Sequence, residues 1–196
     1  MRIAFTHNLA SGTGEDQAEF DSPATVALLV GALERLGHET TAVEVSGPVA
    51  RTVAALEACR PDLVFNTAEG LRGRTREAFI PALLDEMRIP YTGSGPHAMT
   101  VSLDKHLTKL VVRQHGVRAP RGQLVLADHD IGREAIPYPA IVKPNFEGSS
   151  KGISAESVVD DEHALRRRVS SLLSRYPDGV LVEEFIEGTD ITVPFL

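Results

Sequence analysis

Short β-branched segments alternate with amphipathic helical patterns through the first hundred residues, and this alternation is the strongest constraint on the fold. Residues 2–6, 40–45 and 62–66 have strand character, and apolar residues at helical spacing lie between them. The first helix has clear end signals, with Ser22 before its first turn and Gly37 after its last. Alternating strands and helices predict an α/β domain with a parallel, doubly wound sheet.

The pattern changes near residue 100, where the strands become shorter and less regularly spaced. We therefore expect a doubly wound domain over residues 1–100 and an α+β domain over residues 101–196, with the boundary at 98–102. A further apolar strand begins near residue 190, from which we expect that the chain stops short of its C-terminal part. The other predicted elements are a short strand at 90–93, helices at 102–114 and 161–175, and strands at 123–126, 140–143, 153–159 and 180–186.

Composition narrows the classes of function. The 196 residues are 42% hydrophobic and 24% charged, which is typical of soluble globular proteins. A net charge of −7 and the absence of tryptophan argue against nucleic-acid partners. No apolar run is long enough to span a bilayer, and no signal-peptide pattern opens the chain. Because the single cysteine, Cys59, suits a reducing compartment, we expect a cytoplasmic protein without membrane partners.

The segment over residues 138–153 carries the clearest chemical pattern. A β-branched strand ends at Lys143 and is followed by a loop of small residues that includes Gly148, Ser149 and Ser150. Glycines let backbone N–H groups approach an anion, hydroxyls add donors, and the lysine supplies a charge. The pattern predicts phosphate binding, although it is neither a Walker motif nor a dinucleotide fingerprint. A glycine–serine hairpin with one solvated lysine is the alternative.

Three sequence blocks taken together resemble the D-alanine–D-alanine ligase group of the ATP-grasp family. The first joins residues 89–95 to 102–105, the second joins 142–144 to 147–152, and the third runs over 181–193. Each block is a modest match alone, but their order and spacing make the resemblance strong over nearly the whole chain. The resemblance implies an enzyme that phosphorylates a carboxylate with ATP and lets an amine attack the acyl phosphate.

The resemblance also implies which residues bind ATP. Lys105 and Lys143 match two lysines that reach the nucleotide phosphates, where cations stabilise the charge of the transferred group. Glu183 begins the segment that lines the adenine pocket and would accept from the exocyclic amine, and Asp190 replaces a glutamate that binds the ribose. The full set of expected nucleotide-binding residues is Lys105, Lys143, Glu147, Gly148, Ser149, Ser150, Glu183, Glu184, Phe185, Ile186 and Asp190.

Other roles follow from the same resemblance. Residues 148–150 correspond to a mobile flap over the phosphates, and Ser149 is assigned a catalytic role in organising the substrate side. ATP and Mg²⁺ are the expected cofactors, but the family's metal ligands lie downstream of the equivalent of Leu196, so no metal ligand is predicted here. Lys109 has no match in the family pattern and is expected at the surface. Independently of the resemblance, Arg166–Arg168 lie in a predicted amphipathic helix and are expected on its solvated face.

Two loops depart from the family pattern on the substrate side. After the first strand, Glu15 is the candidate for binding the first amino acid, and Glu19 competes with it. The loop over residues 66–76 lacks the family's histidine and carries three arginines together with Glu69. Because arginine forks suit carboxylates or phosphates, the loop is expected to recognise a different acid substrate. Glu69 lies at the carboxyl end of a strand, and Glu15, Glu69 and Arg74 are the expected substrate contacts. Solvated loop arginines are the alternative.

The leading interpretation is an ATP- and Mg²⁺-dependent ligase that forms C–N bonds between small-molecule amino acids or peptides. The chain is expected to be inactive without the missing C-terminal part of the enzyme. Because dimers are common in the resembling family, a homodimer is the expected assembly. Two alternatives remain open. One is an ATP-grasp ligase for a different amino acid or peptide-like metabolite, and the other is a non-catalytic nucleotide-binding module.

Overall fold

The structure is a computed structural model that describes residues 1–193. The chain forms two compact units, of which the first covers Met1–Asp104 and the second begins at Lys105. Each unit has its own sheet and its own apolar core.

The first unit alternates strand and helix, as the sequence predicts. Its three strands are all parallel and lie in the order β2–β1–β3, where β1 is Arg2–His7, β2 is Glu39–Glu44 and β3 is Leu63–Asn66. Helices supply the crossover connections that parallel strands require. The connecting helices are α1 Pro23–Arg35 and α2 Val49–Cys59. Two further helices, α3 Arg76–Met87 and α4 Pro96–Leu103, follow β3, and a short 3₁₀ turn covers Glu15–Gln17.

Two details of the first unit differ from the predicted pattern. The strand expected at 90–93 is reduced to a single parallel bridge between Val64 and Tyr91. Pro90 has no N–H to extend the ladder, and Gly93 turns the chain away at φ +95°. The helical spacing of apolar residues over 79–87 predicts that Phe79 faces the core, but Phe79 is 47% exposed, because the buried stripe of α3 runs through Ile80 and Leu84 instead.

The second unit is an α+β arrangement around one antiparallel sheet. Its elements are α5 Lys105–Gln114, β4 Gly122–Val125, β5 Ala140–Pro144, β6 Val158–Val159, α6 Glu162–Arg175 and β7 Val180–Glu184, with 3₁₀ turns at Asp128–Asp130 and Ala155–Ser157. The strand order is β4–β7–β5–β6. Val142 and Val182 pack with Val169 of α6 in a fully buried core. Because side chains alternate along a strand, Lys143 and Glu183 lie on the opposite face.

The helix expected over residues 102–114 is broken at Asp104, whose backbone is extended. The cause is Asn145, which is completely buried after β5. The Asn145 carbonyl oxygen accepts from the N–H of Lys105 at 3.3 Å, and its side-chain Oδ1 accepts from the N–H of His106 at 2.9 Å. Asn145 therefore satisfies the first N–H groups of α5, which a continuous helix would have bonded internally.

The strand expected at 153–159 covers only its last two residues, Val158–Val159. The preceding residues form the 3₁₀ turn, in which the Ser154 N–H donates to Ser157 Oγ at 3.0 Å. This side chain competes with strand pairing for the backbone donor, as serine does in turns.

Candidate functional site

Glu183 of β7 lies between two lysines on the polar face of the second sheet. Its Oε1 accepts from Nζ of Lys143 on β5, and its Oε2 accepts from Nζ of Lys109 on α5 at 2.5 Å. The Glu183 side chain is only 7% exposed and that of Lys109 only 11%. The three residues therefore form a largely buried group with a net positive charge.

Burial and pairing act in opposite directions on this group. Burial acts to raise the pKa of Glu183, but hydrogen bonds from Lys109 and Lys143 outweigh it and hold that pKa below its usual range. Burial lowers the pKa of Lys109, against the opposing effect of its contact with Glu183. The Glu183 carboxylate therefore stays ionised at neutral pH and acts as an acceptor.

Lys109 does not lie at the surface, so the expectation that it would is wrong. The sequence contained one indication of its position, because Lys109 follows Lys105 by four residues on α5 and such residues share a helix face. What lets Lys109 reach Glu183 is Gly122. A Cβ at Gly122 would lie 2.8 Å from Lys109 Nζ and 2.7 Å from the carbonyl oxygen of Val182.

Lys105, the first residue of α5, lies at the base of the loop that follows β5. Its Nζ donates to the carbonyl oxygen of Glu147 and, at 3.4 Å, to that of Asn145. The Glu147 carboxylate in turn pairs with Lys151 across the loop. Lys105, Lys143 and Glu147, which the sequence separates, thus lie around the carboxyl end of β5.

The flap residues form a tight left-handed turn. Ser149 and Ser150 have φ values of +47° and +59°, and both are exposed. Gly152 follows at φ +72°, where a Cβ would lie 2.5 Å from Pro144 Cγ. The exposed serine pair is therefore carried on a turn whose downstream end is packed closely against β5.

Arg168 is not part of a solvated helix face, which corrects that expectation for one of the three arginines. Its Nη2 donates to the carbonyl oxygen of Gly152 at 2.8 Å and to Ser157 Oγ at 2.9 Å. The side chain is 14% exposed, whereas Arg166 is half exposed and pairs with Glu162. Arg168 therefore connects α6 to the segment after the flap.

The expected adenine segment begins at the end of β7. Glu184 is half-buried and its Oε1 accepts from the N–H of Arg121 at 2.9 Å. The Phe185 N–H donates to the carbonyl oxygen of Pro139 at 2.9 Å, although β7 itself ends at Glu184. Ile186 is 63% exposed, and Asp190 is exposed outside any helix or strand.

The first unit contains a buried ion pair that the sequence did not reveal. Arg76 Nη2 lies 3.0 Å from Glu19 Oε1, and the side chains are 7% and 4% exposed. Arg76 is therefore neither solvated nor displayed at the surface. By contrast, Arg72, Arg74 and Glu15 are exposed, with Glu15 in the 3₁₀ turn after β1.

Glu69 lies half-buried beside this ion pair. The Oδ1 atom of Asn8 accepts from the N–H groups of Glu69 and Gly70, both at 2.9 Å, which fixes the loop against the end of β1. Burial raises the pKa of Glu69 to about 7, and the carboxylates of Glu77 and Glu19 act in the same direction. Glu69 is therefore close to half-protonated at neutral pH.

Residues 1–193 contain neither a metal-ligand group nor a membrane-spanning helix. Among residues 1–193, no group of three or more His, Cys, Asp or Glu side chains is arranged to hold a metal ion. No helix in the same range combines the length and the hydropathy needed to cross a bilayer.

The second unit matches a known family. A family model described as the D-ala D-ala ligase C-terminus matches residues 123–196. A D-alanine–D-alanine ligase of Gluconobacter oxydans is 33% identical over 163 residues, which are 83% of this chain and 52% of that protein.

Solved structures have the same fold. The D-alanine–D-alanine ligase of Bacillus anthracis superposes with a TM-score of 0.73 at 21% identity, covering 96% of this chain and 58% of that one. The structure of that ligase complexed with ATP superposes with a TM-score of 0.66 at 20% identity, covering 96% of this chain and 60% of that one. Residues 123–196 therefore belong to the D-ala D-ala ligase C-terminus family, and the chain spans about half the length of the curated relatives it matches.

Proposed function

We propose that the chain carries the nucleotide-binding part of an ATP-dependent ligase that joins a carboxylate to an amine through an acyl phosphate. The observation that supports this most directly is the convergence of Lys105, Lys143 and Glu183 around the end of β5, beside the exposed turn at Ser149 and Ser150. Cations, hydroxyls and backbone donors around one loop suit a polyphosphate. We choose ATP as the nucleotide because the similar Bacillus anthracis ligase has been solved in complex with ATP.

In this proposal the lysines bind the phosphates. Lys143 and Lys105 neutralise charge on the triphosphate, and each now donates to a protein oxygen that the nucleotide would share or replace. Glu147 holds Lys151 at the edge of the loop, and the residues at 148–150 cover the phosphates. Ser149 additionally orients the substrate.

The end of β7 recognises the nucleoside. The Glu183 carboxylate accepts from the exocyclic amine, and the backbone near Glu184 and Phe185 bonds the ring. Ile186 is available for apolar contact because it is largely exposed. Asp190 accepts from the ribose hydroxyls.

The first unit supplies the substrate-side candidates. Glu69 suits an amine because its pKa of about 7 lets the carboxyl accept a proton or pair with an ammonium near neutral pH. Glu15 and Arg74 are exposed and complete the proposed substrate set. Amino acids or small peptides are the proposed substrates. We also propose a cytoplasmic homodimer, with a substrate domain over residues 1–100 and a nucleotide domain over 101–196.

Mg²⁺ accompanies ATP in the proposed reaction. The described residues do not fit the ion, since no three or more of their His, Cys, Asp or Glu side chains are grouped to bind a metal. No step is therefore assigned through the metal.

Nucleotide binding is the first test. Calorimetric titration with ATP should give binding to the chain and about tenfold weaker binding to Lys143→Met, since one cation contact to a phosphate is removed. The exposed Arg72→Met serves as the charge-matched control and should bind like the unmodified chain. Equal binding by all three proteins would contradict the proposed site.

Amino-acid-dependent ADP release by the protein as its native gene makes it then separates the candidate functions. Release with D-alanine supports a D-alanine ligase, and release only with another acid supports a different ATP-grasp ligase. ATP binding without release across an amino-acid panel supports the non-catalytic module. Acids other than D-alanine are included because the loop at residues 66–76 departs from the family pattern. In this loop Arg76 forms an ion pair with Glu19.

A further inference from the structure

Lys109 is a buried charged group that the proposed nucleotide set leaves without a role. It comes from the second turn of α5 and pairs with a residue 74 positions away in the sequence. A buried lysine costs free energy unless its partner compensates it, so this placement needs an explanation.

The carboxylate of Glu183 already has a second partner, Lys143, on its other oxygen. One lysine would be sufficient to neutralise one carboxylate. The second lysine does something the first cannot, because it fixes the remaining oxygen and so defines the plane of the carboxylate. Gly122 leaves the space for this contact, since a Cβ there would lie 2.8 Å from Lys109 Nζ.

We propose that Lys109 is a positioning residue that orients Glu183 and thereby sets the preference of the site for adenine over guanine. The inference rests on the proposed nucleotide role of Glu183. Lys109 acts through the carboxylate and is not required to touch the nucleotide.

The chemistry of the two bases explains the expected selectivity. An ionised carboxylate has about four lone-pair positions, so oxygens that each accept from a lysine can still accept from an amine. Adenine presents an amino group where guanine presents a carbonyl oxygen. A carboxylate held in place accepts from the first and repels the second, whereas one free to rotate toward Lys143 discriminates less.

The test compares ATP and GTP binding by calorimetry for the unmodified chain and for Lys109→Met. This variant leaves Glu183 paired with Lys143, so the carboxylate is not left alone. We expect the ratio of ATP to GTP affinity to fall about tenfold, as for a lost charged hydrogen bond. Lys105→Met is the control. It removes a cation that binds the phosphates, which ATP and GTP share, so it should weaken the binding of both nucleotides and leave the ratio of their affinities unchanged. A thermal melt of each protein establishes that it is folded.

A double-variant cycle separates positioning from general stability. Glu183→Gln alone should lower the ratio, and adding Lys109→Met to it should lower the ratio no further. If the ratio in Lys109→Met equals that of the unmodified chain, or if Lys109→Met still lowers it in the Glu183→Gln background, the inference is overturned while the proposed function stands. An unmodified chain that binds neither nucleotide overturns the proposed function and the inference with it. If Lys109→Met does not fold, Lys109→Leu, which also lacks a donor for Glu183, replaces it with the same expected ratio.

Discussion

Arg168 donates to the carbonyl oxygen of Gly152 at 2.8 Å and so ties helix α6 to the segment that follows the flap. The same guanidinium group reaches Ser157 Oγ at 2.9 Å. Both acceptors belong to buried residues, so water cannot fully take the place of the arginine as their donor.

We expect Arg168→Met to lower the free energy of unfolding by about 2 kcal/mol, because it removes a charged donor from two buried acceptors. Urea denaturation measures this change. Arg167→Met is the matched control on the exposed side of α6 and should stay within about 0.5 kcal/mol of the unmodified chain. Similar losses in both variants would argue against the connection.

A comparison of Gly152 with Gly132 separates two costs of replacing a glycine, the steric cost of a close contact and the strain of a positive φ. Both have positive φ, but a Cβ at Gly152 would meet Pro144 Cγ at 2.5 Å, whereas a Cβ at Gly132 would meet nothing within 4 Å. Gly132→Ala should therefore cost about 1–2 kcal/mol from the backbone alone. Gly152→Ala should cost at least about 1 kcal/mol more because of overpacking. Equal losses in thermal or urea denaturation would show that the packing at Gly152 relaxes freely.

The buried ion pair between Arg76 and Glu19 should dominate the stability of the loop over residues 66–76. Arg76→Met removes a buried cation from the Glu19 carboxylate and should cost about 3–5 kcal/mol. Replacing both residues by Met should recover much of that loss, since no uncompensated charge remains. Chemical denaturation of the two variants, with the exposed Arg72→Met as control, measures the difference. A double variant no more stable than Arg76→Met would contradict the pairing.

Glu69 should make stability depend on pH near neutrality. Its pKa is about 7 in the folded chain against an ordinary value of 4.5, so the folded state binds more protons between these values. Its contribution is therefore complete below about pH 4.5 and is lost as the pH rises through about 7. Water screens part of the effect because the side chain is only half-buried, and we expect about 1–2 kcal/mol.

The measurement is the free energy of unfolding of the unmodified chain and of Glu69→Gln across this pH range. The glutamine variant should be the more stable of the two near pH 8 and should lose less stability between about pH 5 and pH 8. Parallel pH profiles for the two proteins would show that Glu69 does not carry this dependence.

Local patterns predicted much of the fold because they report local physics. Periodicity and end signals predicted the alternation of the first unit, including the Ser22 cap, whose Oγ accepts from the Thr25 N–H at 3.0 Å. The strand period also puts Lys143 and Glu183 on one face once their strands pair. The mixed α/β fold is the one that the sequence predicted.

The features that the sequence did not reveal depend on partners far away along the chain. Lys109 is buried because Gly122 leaves room beside Glu183, and no local pattern around Lys109 records that space. Arg168 and Arg76 look like solvated arginines until the fold brings Gly152 and Glu19 to them. The break before Lys105 has the same origin, since its cause is a side chain 40 residues later.

Asn145 makes Lys105 and Lys143 mechanically dependent on each other. The asparagine follows β5, which carries Lys143, and its carbonyl and amide oxygens hold the first turn of α5, which carries Lys105. A shift of β5 along its neighbours would therefore displace the backbones of both residues in the same direction. The positions from which the two lysine side chains extend are thus set by one asparagine and not by two independent elements.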